Sequence, residues 1–167
     1  VVSSSGNQGR TDSMNAPACI SGMISVGATC DGPYNIDADP EADCNVNTIA
    51  PFTNSTAFLS FMAPGVSIDS ADDITDGFTA KSGTSQATPF VSGAIAALKS
   101  YRPSSTLGQL TQALYDSGVT VSDIGGIFKK IQVDAAVDIL IFPDQPTLLD
   151  PQPNEAFAES PISFFWT

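Results

Sequence analysis

The chain has 167 residues, with 18 acidic side chains against 6 basic ones and no histidine, for a net charge of −12. That balance argues against nucleic acid or an anionic membrane surface as a partner, since both repel a strongly acidic chain. No apolar run is long enough to span a bilayer, and the length suffices for one well-buried core.

Val1-Val2-Ser3-Ser4-Ser5-Gly6-Asn7-Gln8-Gly9 reads as a β-branched strand entering a small-residue loop with two glycines. Taken alone, it is an ordinary Gly-Asn turn. Asn15-Ala16-Pro17 is turn-like, and Met23-Ile24-Ser25-Val26-Gly27-Ala28 reads as a buried strand. Cys19, Cys30 and Cys44 make an odd count, which implies a free thiol or a partner elsewhere. Cys30 and Cys44 bracket a loop that a local disulfide would close, leaving Cys19 to pair with a residue upstream of Val1. With no histidine and no Cys-x₂-Cys spacing, the cysteines do not read as a metal site.

The bracketed loop carries Asp37, Asp39, Glu41 and Asp43 at alternate positions. Hard oxygen ligands of this kind suit Ca²⁺, yet the spacing matches no calcium-loop signature, and acidic loops are ordinarily just solvated. Asp72, Asp73 and Asp76 form a weaker cluster of the same type. Asn54-Ser55-Thr56 matches a glycosylation sequon. The stretch from Phe58 to Ile68 reads as strand, Pro64-Gly65 turn and strand.

Ser82-Gly83-Thr84-Ser85-Gln86-Ala87-Thr88-Pro89 reads as a tight glycine turn opening a helix of small residues, from about Ser85 to Tyr101, with Pro89 in its first turn. The small residues Ala87, Gly93, Ala94, Ala96 and Ala97 suit a buried central helix. A serine at a helix N-terminus sits among unpaired N–H groups and the positive end of the dipole. These favour the negative charge that builds on a carbonyl oxygen under attack in acyl transfer. The plain alternative is an N-cap serine. Lys81 is expected to be solvated and on a different segment from Ser85. Beyond Arg102-Pro103, Ser104 or Ser105 can cap a second helix, along which Leu107, Leu110, Ala113 and Leu114 recur at helical spacing.

Gly83-Thr84-Ser85-Gln86-Ala87-Thr88-Pro89, followed by Val91-Ser92-Gly93, resembles the active-site serine motif of the subtilisin-like serine proteases, the subtilases. The family's usual form is Gly-Thr-Ser-x-Ala-x-Pro-His-Val-x-Gly. Phe90 stands where that His, which is not the triad base, normally sits. Two further landmarks lie in the family's order ahead of the motif: the strand and loop ending at Asn7, and Pro51-Phe52-Thr53-Asn54-Ser55 followed by Met62-Ala63-Pro64-Gly65-Val66. Lys129-Lys130-Ile131-Gln132-Val133-Asp134-Ala135-Ala136-Val137 resembles the family's closing strand and last helix.

The resemblance implies Ser85 as nucleophile, with its own N–H and the Asn7 side chain as the oxyanion hole. It also implies a primary specificity pocket walled by Ser3, Ser4, Ser5 and Gly6 with Asn15 opposite, and a cis bond at Ala16-Pro17. Small neutral walls suggest an uncharged side chain of medium or large size as the preferred residue. The chemistry requires no cofactor, though a structural calcium is in keeping with the family. A subtilase triad also needs an Asp and a His, in the order Asp, His, Ser. Neither fits within this chain, so both are expected upstream of Val1.

The implied fold is a three-layer α/β domain over residues 1–142, with a mainly parallel sheet flanked by helices. Residues 143–153 are a Pro-rich linker, and 154–167 resemble the start of an immunoglobulin-like or fibronectin-III-like β-sandwich. Both ends read as cut in mid-strand. The implied function is that of a secreted, extracellular serine endopeptidase acting on polypeptides, with this segment inactive without the N-terminal half. A catalytically dead binding module of the same fold is the alternative. An α/β-hydrolase is disfavoured because its Gly-x-Ser-x-Gly elbow would need glycine where Ala87 stands. A chymotrypsin-like fold is disfavoured because the serine leads into a helix.

Overall fold

A computed structural model describes residues 1–32, 34, 35, 43–72 and 76–141 of the chain. In chain order the elements are β1 (Val2–Ser4), β2 (Ile24–Thr29), β3 (Tyr34–Asn35), β4 (Asp43–Cys44), β5 (Phe61–Pro64), β6 (Ile68–Ala71) and β7 (Phe78–Lys81), then α1 (Thr84–Tyr101), α2 (Leu107–Ser117), β8 (Val119–Asp123), β9 (Gly126–Lys130) and α3 (Val133–Ile141).

The main sheet runs β1-β2-β5-β9-β8. The first three pairings are parallel and the β8–β9 hairpin is antiparallel. β3–β4 and β6–β7 are separate two-stranded ribbons. The buried strand expected near Met23–Ala28 is β2, a sheet interior with both faces covered, which is why it carries a continuous apolar run rather than strict alternation. β8 has no counterpart among the sequence expectations.

Side chains leaving the sheet on one face, Val26, Ala28, Phe61 and Ala63, join residues of all three helices in one core. The opposite face carries Met62, Leu59, Val121 and Phe128, with Met14 and Ile49 from loops against them. Every described helix therefore lies on a single face. The expected three-layer arrangement is not present among the described residues, where the second face is covered by loops.

α1 buries Thr84, Ala87, Val91, Ala94 and Leu98, a stripe at intervals of three and four residues. Small residues bring it close to the sheet. A Cβ on Gly65 would lie 2.6 Å from Ala28 Cβ and 3.2 Å from Ala87 Cβ. The helix is not buried all round, however. Phe90, Ala96 and Ala97 are exposed, and a Cβ on Gly93 would meet nothing within 4 Å. Pro89 lies inside α1 and not in its first turn. Its missing N–H removes the bond that residue 89 would otherwise give to the Ser85 carbonyl.

The second helix also starts differently from expectation. Its cap is Thr106, not Ser104 or Ser105. The Thr106 hydroxyl accepts from the Gln109 N–H, and the Gln109 side chain accepts from the Thr106 N–H at 2.8 Å, a complete capping box.

Cys30 and Cys44 are buried and form the expected disulfide, with Cα atoms 5.4 Å apart, and Cys19 is free and exposed. The proposed calcium ligands Asp37, Asp39 and Glu41, and the side chain of Asp43, lie outside the described residues, as do Asp73 and the linker and β-sandwich start from residue 143 onward. Among the described residues no group of three or more His, Cys, Asp or Glu could hold a metal ion. No described helix is long and apolar enough to cross a membrane.

Candidate active site

The loop after β1 and the N-terminus of α1 meet, 77 residues apart in sequence, through Thr84. Its N–H donates to Asn7 Oδ1 at 2.9 Å, and its hydroxyl donates to the same oxygen at 2.8 Å. The Gly6 N–H donates in turn to Thr84 Oγ1 at 3.2 Å. A backbone N–H can only donate, so the amide atom facing it must be the oxygen. Asn7 Nδ2 is thereby turned away from Thr84 and left to donate elsewhere.

Ser85 follows Thr84 as the second residue of α1 and is exposed. At that position its N–H has no acceptor within the helix. The first turn carries no acidic residue and Gly83 gives no side-chain cap; the Asn7 oxygen on the Thr84 N–H brings no formal charge to this positive end of the dipole. Lys81 belongs to β7, a different segment from Ser85, and is exposed, as expected.

Gly83 makes the arrangement sterically feasible. Its backbone, at φ 157° and ψ 162°, is one that L side chains rarely adopt. A Cβ there would lie 2.8 Å from Gln86 Oε1 and 3.1 Å from Asn7 Nδ2. Its N–H donates to the Gly65 carbonyl at 2.8 Å, which ties the turn to the end of β5.

The segment expected to wall a pocket alternates as a strand must. Ser3 pairs in register with Ser25 and Ser4 with Val26, and Ser3 and Ser5 are buried while Ser4 is partly exposed. Ser5 Oγ has no hydrogen-bond partner. Any wall built by Ser3, Ser4, Ser5 and Gly6 is thus chiefly backbone, not a row of hydroxyls. Gly6 is at φ 111°, and a Cβ there would lie 2.6 Å from Asn15 Nδ2. Asn15 is drawn to this loop, its N–H donating to the Ser5 carbonyl at 2.9 Å and its Nδ2 to Gln8 Oε1 at 3.0 Å. The peptide bond that follows, Ala16–Pro17, is cis.

On its other side Ser85 borders a groove of about 600 Å³ along α1, lined mainly by apolar groups including Ile68, Pro89, Phe90, Ala94 and Val133. Phe90 forms part of its wall.

Two residues of this constellation were not anticipated in their roles. Thr84 was visible only as part of the serine motif. Asn54, read as scaffold or as a sequon, is fully buried, and its side-chain nitrogen already donates to Gln8 Oε1 at 2.8 Å. It is therefore not presented for glycosylation in the folded chain. Its place in the Pro51–Ser55 landmark marks the stretch but not the inward-facing role of the amide.

Comparison with known proteins gives a consistent picture. The family model described as "Subtilase family" matches residues 1–138. The chain is 33% identical over 126 residues to subtilisin DY of Bacillus licheniformis, covering 74% of this chain and 40% of that protein. It is 36% identical over 115 residues to an extracellular serine proteinase of Thermus sp. (strain Rt41A), covering 68% and 25%. Among solved structures, a cold adapted subtilisin-like serine proteinase superposes with a TM-score of 0.61 at 28% identity, over 78% of this chain and 42% of that one. The chain thus spans less than half the length of these relatives.

Proposed function

This chain belongs to the subtilase family, and from that premise we propose that it is the nucleophile-bearing part of a serine endopeptidase. Ser85 Oγ attacks the carbonyl carbon of a peptide bond, and its proton passes to a histidine supplied from outside these 167 residues, which contain none. The Ser85 N–H and Asn7 Nδ2 hold the oxygen on which negative charge develops. The histidine then protonates the leaving amine as the C–N bond breaks. Water attacks the acyl-enzyme and returns a proton, through the histidine, to Ser85.

The observation that supports this reading is the double hydrogen bond from Thr84, the residue before the serine, to Asn7 Oδ1, which leaves the Asn7 amide N–H₂ free of Thr84 to act as a donor. The apolar groove and the exposed outer face of α1 support a neighbouring segment at Ser85, one that brings the histidine and its orienting Asp. The Gly6–Asn15 region supports substrate binding through backbone and amide groups, suited to an uncharged side chain. The Cys30–Cys44 disulfide supports an oxidising, extracellular setting. A structural calcium in the 37–43 loop remains part of the proposal, with no role in the chemical steps.

The test is cleavage of casein by the protease comprising this chain and its histidine-bearing segment, set beside the 167-residue chain alone. The first should cleave and lose that activity in Ser85→Ala, and the second should leave casein intact. Cleavage by the short chain, abolished in Ser85→Ala, would overturn the division of the triad. No cleavage by either would favour a binding module of the same fold.

A further inference from the structure

We infer that Asn54 is a positioning residue for the oxyanion hole, acting on Asn7 through the loop that carries it; this rests on the role proposed for Asn7 above. Asn54 is fully buried, and its side chain serves as the internal template of the Gly6–Arg10 loop. Its Oδ1 accepts from the N–H groups of Gln8 and Arg10, both at 3.0 Å. These are the amides on either side of Gly9, and the first directly follows Asn7. Its Nδ2 donates to Gln8 Oε1 at 2.8 Å, to the Ser5 carbonyl at 3.3 Å and to Asn15 Oδ1 at 3.5 Å. The Asn54 N–H donates to the Gly6 carbonyl at 2.9 Å. Ser5, Gly6, Gln8 and Arg10 are all held by this one residue, and Asn7 lies in the middle of them.

The chemistry explains why an amide is needed. The loop turns inward both N–H groups and a carbonyl, so its template must accept and donate at once, and the planar amide of Asn does both from one short side chain. A buried backbone N–H without a partner is costly, so without Asn54 the loop would move to solvate itself. Thr84 fixes the oxygen end of the Asn7 amide, and Asn54 fixes the backbone from which that amide projects. Asn15, bonded to the same Gln8 oxygen, links this template to the segment opposite.

Asn54→Asp separates the two halves of the role. The acid keeps an acceptor for Gln8 and Arg10 but puts an oxygen against Gln8 Oε1, the Ser5 carbonyl and Asn15 Oδ1. The experiment is a double-mutant cycle in the protease comprising this chain and its histidine-bearing segment, with kcat, KM and thermal unfolding measured for each variant. Asn7→Ala should lower kcat by roughly 10²–10³-fold, a magnitude established on a subtilase and carried over to this chain. Asn54→Asp should lower kcat by about 10-fold or more with a smaller change in KM, as misplacement of a transition-state donor does. In the Asn7→Ala background the same change should cost little further kcat.

An equal loss of kcat from Asn54→Asp in both backgrounds overturns the inference, because general loosening would not depend on Asn7. An unchanged kcat in Asn7→Ala overturns the oxyanion reading itself and the inference with it. Where Asn54→Asp does not accumulate as folded protein, Gln8→Ala takes its place. Gln8 is exposed, and its loss removes the nearest of the three acceptors of Asn54 Nδ2. It should show the same dependence on Asn7, and a kcat equal to that of the unaltered protease would count against the inference.

Discussion

Gly83 is where a single added methyl group would press on the Asn7 amide. Its backbone conformation disfavours a side chain, and a Cβ there would press on Asn7 Nδ2 at 3.1 Å, while Gln86 Oε1, at the end of a flexible side chain, can move aside. Gly83→Ala therefore combines backbone strain of about 1–3 kcal/mol with displacement of the Asn7 amide. The expected outcome is a kcat at least about 10-fold lower in the intact protease, with Tm falling by a few degrees at most for a protein of such size. A kcat equal to that of the unaltered enzyme would show that the amide need not stay where Thr84 holds it. Asn54 belongs to the same scale. Its side chain accepts from the Gln8 and Arg10 N–H groups and so holds the loop that carries Asn7.

At the scale of elements, hydrogen bonding at the ends decides where helices start. α1 begins at Thr84 after a glycine with no side-chain cap, and its first N–H is met instead by Asn7 Oδ1 from a distant loop. α2 begins with a complete capping box at Thr106 and Gln109. The contrast is one of range: α2 is capped from within its own first turn, and the first N–H of α1 by a side chain 77 residues away. Thr106→Ala should cost about 1 kcal/mol of stability, read by denaturant unfolding. Ser104→Ala, at an exposed position outside the cap, should stay within about 0.5 kcal/mol of the parent chain. Equal effects from the two would count against the cap assignment. The β8–β9 hairpin makes a similar point. Asp123 Oδ1 accepts from the N–H groups of Gly125 and Gly126 at 2.6 and 3.1 Å, closing the turn that sends the chain back antiparallel.

At the scale of the molecule, the helices share one face of the sheet, and their common core depends on the close approach of α1 through Ala87. That residue is fully buried against Gly65 and β2. Ala87→Leu should destabilise the domain by about 1–3 kcal/mol through overpacking, measured as a lower urea midpoint, and should shift Ser85 along with the first turn of α1. An unchanged midpoint would mean that the helix can retreat from the sheet without loss.

Much of this was legible from residue order. The serine motif, the Asn7 loop, the strand at Ile24–Thr29 and the Cys30–Cys44 pairing are local patterns whose chemistry is carried by adjacent residues. What could not be read was anything that depends on which side of an element faces what. The alternation of Ser3, Ser4 and Ser5 between two faces follows from the pairing of β1 with β2, not from three identical letters. The exposed outer face of α1 follows from the helices lying together, whereas its run of alanines and glycine suited burial on every side. Thr106 took the cap from two neighbouring serines because only its position places Gln109 three residues on.

By itself, then, the sequence determined the family, the parallel α/β character and the identity of the candidate nucleophile, since each is a property of short runs with strong local constraints. Only the tertiary structure decided that Asn7 presents its nitrogen, that Thr84 enforces this, and that Asn54 holds the loop from within. Those are hydrogen bonds between groups 44 to 78 residues apart. The direction in which an amide points is set by the donors that surround it in space, and these are brought there by the fold.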